Sequence, residues 1–356
     1  MLIRPLPPVP AVATVSALIE KLKIVGFSSQ RLAESFLIKN PTQALARLSL
    51  LANMKNRKVH ELESLFILGW PCEGDVIRKS LGTELTRQLM SEGLLEEQMG
   101  QCKSTFLVLE FLGVFVIADR LDAQQSGHKD FVMAPSYSTA KLATLLEKPS
   151  LSFHEAGCGS GLLGLLAMKC GSQASFSDLN PRACEFTRLN LNLNKLKAEV
   201  SVKDWKRAFV EMEGEVLFIF NTPSLPDVSA RKLMVSHVGD QPNIFVKDLV
   251  STWSASSKNK KGLFWVCLCL EDGFDTPEAM LQAWTAVGGL KFSFQLDADS
   301  PFALTEKQIK NKTLPMPCWL VEERSEEVPL FSYLEKYRVS RVISGILSLE
   351  FTHYSP

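Results

Sequence analysis

Residues 151–171 read LSFHEAGCGSGLLGLLAMKCG: an apolar run, a glycine-rich turn and a second apolar run in direct succession. The first run has the length of a buried strand, and the leucine-rich run after the turn has the length of a helix. Glycines at 157, 159 and 161 let the backbone turn sharply and let a ligand approach where side chains would exclude it. The following segment, ASFSDLNPRACEFTRLNLNLNKL, repeats the order with a strand that ends at Asp178 and a helix behind it.

Working outward, a short strand is expected at Glu199 to Val202, a strong one in EVLFIF and another in LFWVCLCL. Strands alternating with helices imply a parallel sheet covered on both faces. Beyond Gly288 the last strands are expected, with RVISGILSLEF read as a terminal hairpin. Upstream, Ser16 to Gln98 shows helical apolar periodicity, as in SALIEKLKIVG and KVHELESLFILG. The stretch from Gly74 to Asp119 predicts two short helices and then two apolar segments about a turn at Gly100, the order of a winged-helix module. Three parts are therefore expected: a helical and winged-helix-like domain at 1–105, a connecting segment with a covering loop at 106–150, and a catalytic α/β domain at 151–356.

The chain has 356 residues, 46% of them hydrophobic, enough to bury a substantial core. Lys and Arg total 39, as do Asp and Glu, so no global field favours a polyanion, and nucleic acid is an open but unfavoured partner. MLIRPLPPVP is too short and proline-rich for a signal peptide, and no apolar run approaches the roughly 20 residues of a membrane helix, so a cytoplasmic protein without membrane contact is expected. Eight cysteines show no Cys-x-x-Cys pair, and none of the five histidines stands in a nucleophile or metal motif, so no metal is assigned.

Asp178 follows Gly161 by one helix and one strand, which brings it to the crevice the turn lines, where a carboxylate accepts hydrogen bonds from a ribose diol. A tight turn for the glycines and a helix N-cap for Asp178 are the structural alternatives. Together with Glu155, two residues before the first glycine, these residues resemble the first two motifs of the class I S-adenosylmethionine-dependent methyltransferase family. The resemblance covers about Phe131 to Leu270. It implies a Rossmann-like, seven-stranded, mostly parallel sheet and S-adenosylmethionine as cofactor. It also implies that Gly157, Gly159 and Gly161 back the methionine and ribose, that Asp178 holds the ribose hydroxyls with Leu179 beside it, and that Glu155 meets the amino group. Asp204 and Trp205 fall where the family places an acid and an apolar neighbour around the adenine; a surface pair is the alternative.

The fourth family motif resembles N/D-P-P-Y/F, and here the strand EVLFIF runs into Asn221-Thr222-Pro223-Ser224. Without the aromatic there is no stacking face for a planar amine, whereas Asn221 and Ser224 remain able to orient a nucleophile; an ordinary turn after a buried strand is the alternative. Tyr137, in the loop FVMAPSYST, is a candidate cation–π partner for a sulfonium, with Ser138 or Thr139 capping a helix. The overall arrangement resembles bacterial proteins of methyltransferase type, with a homodimer one expectation.

Three activities follow from this reading. The first is methyl transfer to a small molecule or peptide. The second is cyclisation of the cofactor on itself, giving azetidine-2-carboxylate and methylthioadenosine. The third is cofactor sensing by a nucleic-acid-binding regulator built on the winged module.

Overall fold

The structure is a computed structural model and describes residues 6–55, 57–126, 128, 130–146, 152–225, 241–255, 260–285, 290–315, 320 and 327–351. Its contacts group into two compact units, Met1–Trp205 and Lys206–Pro356.

The first unit opens with helices Val12–Ile24, Ser29–Ser35, Pro41–Ala46, Leu48–Ala52 and Glu61–Phe66. Their starts follow from local chemistry: Ser28 and Asn40 accept the amides of Arg31 and Gln43, and Pro41 supplies the fixed φ of a first helical residue. Val15, Leu18, Ile19 and Leu22 bury one stripe of the first helix. Strand β1 (Cys72–Glu73), helices Gly74–Leu81 and Thr83–Ser91, and the hairpin of β2 (Leu95–Gln98) and β3 (Gln101–Ser104) come next, the strands pairing in the order β1-β3-β2. Short strands thus interrupt the helical reading of 16–98.

A second hairpin, β4 (Phe106–Phe111) and β5 (Val114–Asp119), turns at Leu112 and Gly113. The sequence reading placed the turn between apolar segments at Gly100. In the structure Gly100 turns the polar pair instead, with Glu96 opposite Lys103 and Gln98 opposite Gln101, and the apolar pair belongs to Gly113. The chain continues through helix Tyr137–Ala143, β6 (Ser152–Ala156), helix Leu162–Lys169, β7 (Ala174–Asp178), helix Pro181–Leu193 and β8 (Glu199–Val202). The β6–β7 and β7–β8 ladders are parallel.

The second unit holds β9 (Val216–Asn221), helix Ile244–Ser254, β10 (Lys260–Glu271), helix Pro277–Trp284, β11 (Leu290–Leu296), helices Glu306–Lys310 and Glu327–Lys336, and β12 (Val339–Phe351). Strands β9 and β10 are parallel, while β12 runs antiparallel to both β10 and β11. The expected terminal hairpin is one 13-residue strand. Gly345 lies mid-strand, where a Cβ would come within 2.2 Å of the Gln295 carbonyl oxygen on β11. Phe209, Phe218, Trp253 and Phe264 form an aromatic core, with Phe209 and Trp253 ring centroids 4.1 Å apart and Trp253 and Phe264 at 5.1 Å. Truncating one of these to alanine would cost about 3–5 kcal/mol.

Seven strands make one sheet in the order β11-β12-β10-β9-β6-β7-β8. The fold is α/β, with the parallel ladders that the alternation of strands and helices implied.

Candidate active site

The turn after β6 is built from three residues in the left-handed region: Gly157 at φ 57°, Gly159 at 54° and Gly161 at 77°. A side chain at any of them would be strained. Gly161 donates to the Cys158 carbonyl at 2.7 Å, closing the turn, and Cys158 donates to Ser177 on β7 at 3.1 Å. The surroundings differ from glycine to glycine. A Cβ on Gly161 would meet Thr187 at 3.0 Å, whereas one on Gly159 would find nothing nearer than Val132 Cγ1 at 4.0 Å. A Cβ on Gly159 would therefore fit, touching Val132 alone at ordinary van der Waals distance. Gly164, which the sequence reading passed over, lets the helix close on β7, since a Cβ there would sit 2.2 Å from the Phe176 ring.

Asp178, the last residue of β7, accepts the Gly159 amide on Oδ2 and the Asn180 amide on Oδ1, both at 2.9 Å. Burial raises its pKa while the amides of Gly159, Asn180 and Leu179 work the other way. Leu179 beside it is 55% exposed, and Val202, its cross-strand neighbour on β8, is 49% exposed. Two bare apolar side chains thus flank the carboxylate, of which the sequence reading named only the first. Asp204 is exposed, and Trp205 is buried at the start of helix Trp205–Glu211.

Glu155 lies beneath the turn. It is 5% exposed, and its Oε2 accepts the Gly164 amide at 2.7 Å, in the first turn of helix Leu162–Lys169. Burial pushes its pKa up to about 8, against the opposing pull of the Gly164 and Leu163 amides, and the nearby Asp178 charge adds to the rise. The residue serves the orphan amides of the helix start.

Helix Pro181–Leu193 grips the turn from the other side. Thr187 donates to the Gly159 carbonyl at 3.0 Å. Fully buried Asn190 donates to the Ser160 carbonyl at 2.8 Å and to that of Ile117 at 3.0 Å, and accepts the Ile117 amide at 2.8 Å. One turn on, Asn194 exchanges the same pair of bonds with Phe115. Two asparagine amides at i and i+4 therefore satisfy β5 as a neighbouring strand would. Asparagine is a poor helix former, so its triple occurrence in NLNLN was a signal for buried polar work.

The segment before helix Tyr137–Ala143 is clipped over this region. Asp119, buried at the end of β5, accepts the Val132 amide at 2.8 Å and pairs with Arg182 at 2.5 Å, while Asn180 donates to the Asp130 carbonyl at 2.9 Å. Tyr137 is buried at the helix start, with Lys141 Nζ 5.2 Å from its ring centroid. Ser136 caps that helix in a reciprocal box with Thr139, so of the two expected capping residues Thr139 takes part, as the third helical residue.

In the second unit Asn221 ends β9 opposite Trp265 of β10. Past it, side chains continue the ladder. Thr222 donates through Oγ1 to the Trp265 carbonyl at 2.7 Å, Ser224 Oγ accepts the Cys267 amide at 2.7 Å, and Asn243 brackets Cys269, accepting its amide at 2.8 Å and donating to its carbonyl at 2.7 Å. Thr222 and Ser224 thus stitch the chain to β10, and the Ser224 hydroxyl proton is left to donate. Residues 226–240 lie outside the described residues. Among the described residues no group of three or more His, Cys, Asp or Glu is placed to hold a metal, and no helix is long and apolar enough to cross a membrane.

Residues 137–237 match the family model described as methyltransferase small domain. A 58-residue stretch is 38% identical to ribosomal protein L11 methyltransferase of Burkholderia cenocepacia (strain HI2424), covering 16% of this chain and 19% of that protein. The same protein of Burkholderia orbicola (strain MC0-3) matches equally, so the match spans about a fifth of the length of these curated relatives. Among solved structures, the chain is similar to wild-type Trm5b of Pyrococcus abyssi at 12% identity and a TM-score of 0.39, over 72% of this chain and 62% of that one. It is also similar to ribosomal protein L11 methylase of Lactobacillus delbrueckii subsp. bulgaricus, at 13% identity and a TM-score of 0.33, over 61% and 80% respectively.

Proposed function

We propose that the chain is an S-adenosylmethionine-dependent methyltransferase whose first unit holds the cofactor at Gly157–Gly161 and Asp178. One observation carries this reading: the Asp178 carboxylate accepts the Gly159 amide, at a turn position where a Cβ would touch only Val132. The residues present fit the cofactor. The ribose hydroxyls donate to Asp178, whose oxygens each retain a lone-pair direction, and Leu179 and Val202 offer apolar walls to a planar base. Asp204 and Trp205 extend that side. When bound, the sulfonium supplies an electrophilic methyl group.

Glu155 positions rather than touches: protonated or not, it fixes the helix start behind the turn. Asn221 and Ser224 orient the acceptor, Asn221 through its amide and Ser224 through its free hydroxyl proton. Tyr137 lies at the close of the clipped segment, which keeps water from the site. Catalysis is by alignment, with no general base assigned.

The division at 105 and 150 is retained as a functional one, with 61–104 as a winged-helix-type unit. Arg78 of that unit sits between Asp75 and Glu97, and Arg87 is paired with Glu84, so both of its arginines are already engaged, which disfavours the regulator reading.

The test is incubation of purified protein with methyl-labelled cofactor, first alone and then with fractionated RNA, protein and small-molecule pools, followed by mass spectrometry. Label in an acceptor with S-adenosylhomocysteine as co-product supports methyl transfer. Methylthioadenosine from cofactor alone would replace it with the cyclisation reading.

A further inference from the structure

The zero net charge of the chain conceals a sharp local separation. Between Glu34 and Glu61 there is no acidic residue, and five basic ones occur there: Lys39, Arg47, Lys55, Arg57 and Lys58. The next stretch, 61–104, carries eight acidic residues against four basic. All five cations are exposed, and among the described residues their side chains make no ion pair or hydrogen bond. Elsewhere on this unit Lys23, Arg31, Arg78, Arg87, Lys103 and Arg182 have carboxylate partners, while Lys79, Lys195 and Lys197 are exposed and, among the described residues, make no ion pair.

The segment that displays them is firmly seated. Ala44, Leu45, Leu48 and Leu51 are buried beneath helices Pro41–Ala46 and Leu48–Ala52, and the indole of Trp70 donates to the Ala52 carbonyl at 2.7 Å. Helix Pro41–Ala46 also packs against helix Tyr137–Ala143, whose first residue closes the segment clipped over the glycine turn. The cations therefore stand on a fixed base that adjoins the proposed cofactor site within the same unit.

We propose that Lys39, Arg47, Lys55, Arg57 and Lys58 form a docking face for RNA and that the methyl acceptor is an RNA. Five cations in a stretch that holds no carboxylate fit a phosphate backbone, because each phosphate they neutralise releases condensed counterions. These helices, of five and six residues, are too short to read a DNA major groove. Leu37, Leu50 and Met54, respectively 85%, 41% and 39% exposed, belong to the same stretch of chain and suit the unstacked bases of a loop, which a regular duplex does not offer. The docking face stands on charge and packing alone; the acceptor assignment rests on the methyl-transfer reading.

The test uses the full chain and a fluorescent RNA stem-loop with an unpaired loop, titrated from about 50 to 200 mM salt. Three to five phosphate contacts predict a log–log salt slope of about −2 to −3.5. The triple variant Arg47→Gln, Arg57→Gln, Lys58→Gln should flatten the slope by about 2, and Arg47→Lys, Arg57→Lys should restore it. Binding of S-adenosylhomocysteine, measured in the same preparations, should be equal in wild type and triple variant. No salt-sensitive RNA binding, or a triple variant that binds as wild type does, would overturn the proposal. So would equal binding of duplex DNA or of phosphatidylserine vesicles. RNA binding that follows the variants in a protein that does not bind S-adenosylhomocysteine would uphold the docking face and remove the methyl-transfer reading.

Discussion

The Gly159 amide donates to Asp178 Oδ2 at 2.9 Å, which makes the end of β7 and the middle of the glycine turn a single structural element. The acid that would hold a ribose is the same acid that sets the conformation of the turn. Cofactor binding and local order should therefore change together when either is altered.

Glu155 makes stability depend on pH in a defined sense. Its pKa in the folded protein, about 8, lies above the ordinary 4.5, so the fold binds this proton more tightly than the unfolded chain does. The stabilisation is complete below the unfolded value and is lost as the pH rises through the folded one. Glu155→Gln resembles the protonated carboxyl at every pH, and its amide oxygen still accepts from Gly164. Thermal melts should show the variant gaining on wild type as the pH is raised from about 5 to about 9. Parallel pH profiles would show that Glu155 is ionised throughout.

Gly159→Ala and Gly164→Ala should fail in different ways. At Gly159 the added methyl would touch only Val132, at ordinary contact distance, in a strained backbone, so cofactor affinity should fall more than stability. At Gly164 it meets the Phe176 ring, and overpacking of this kind costs about 1–3 kcal/mol with less effect on affinity. Calorimetric titration and denaturant melts of both variants test the order; the reverse order would mean that the space at Gly159 is not the cofactor site.

Asn190→Ala leaves the amide and carbonyl of Ile117 and the carbonyl of Ser160 without their partner in a buried setting. At about 1–3 kcal/mol per unsatisfied group, the loss should be on the order of 2 kcal/mol or more, read from urea unfolding. A loss below about 0.5 kcal/mol would mean that water replaces the amide.

The glycine turn and Asp178 were legible in the sequence because their function is local: a backbone that must reverse needs glycine, and a strand-end acid recurs at fixed distance from it. Thr187, Asn190 and Asp119 were not, because their partners lie 13 to 73 residues away and their types are ordinary on a helix or strand. The terminal hairpin expected in RVISGILSLEF is a single strand for a related reason: Gly345 allows close approach of the Gln295 carbonyl on β11, a partner the sequence does not show. At Asn221–Ser224 the motif was legible, but the stitching of Thr222 and Ser224 to β10 needed the register of a strand more than forty residues on.

The most direct test is calorimetric titration of S-adenosylmethionine into wild type and Asp178→Ala. Hydrogen bonds to a charged carboxylate contribute about 1.5–3 kcal/mol, so the variant should bind roughly 10- to 150-fold more weakly while staying folded. Equal affinity in the two proteins, or no binding to wild type, would contradict the assignment of the glycine turn and Asp178 as the cofactor site.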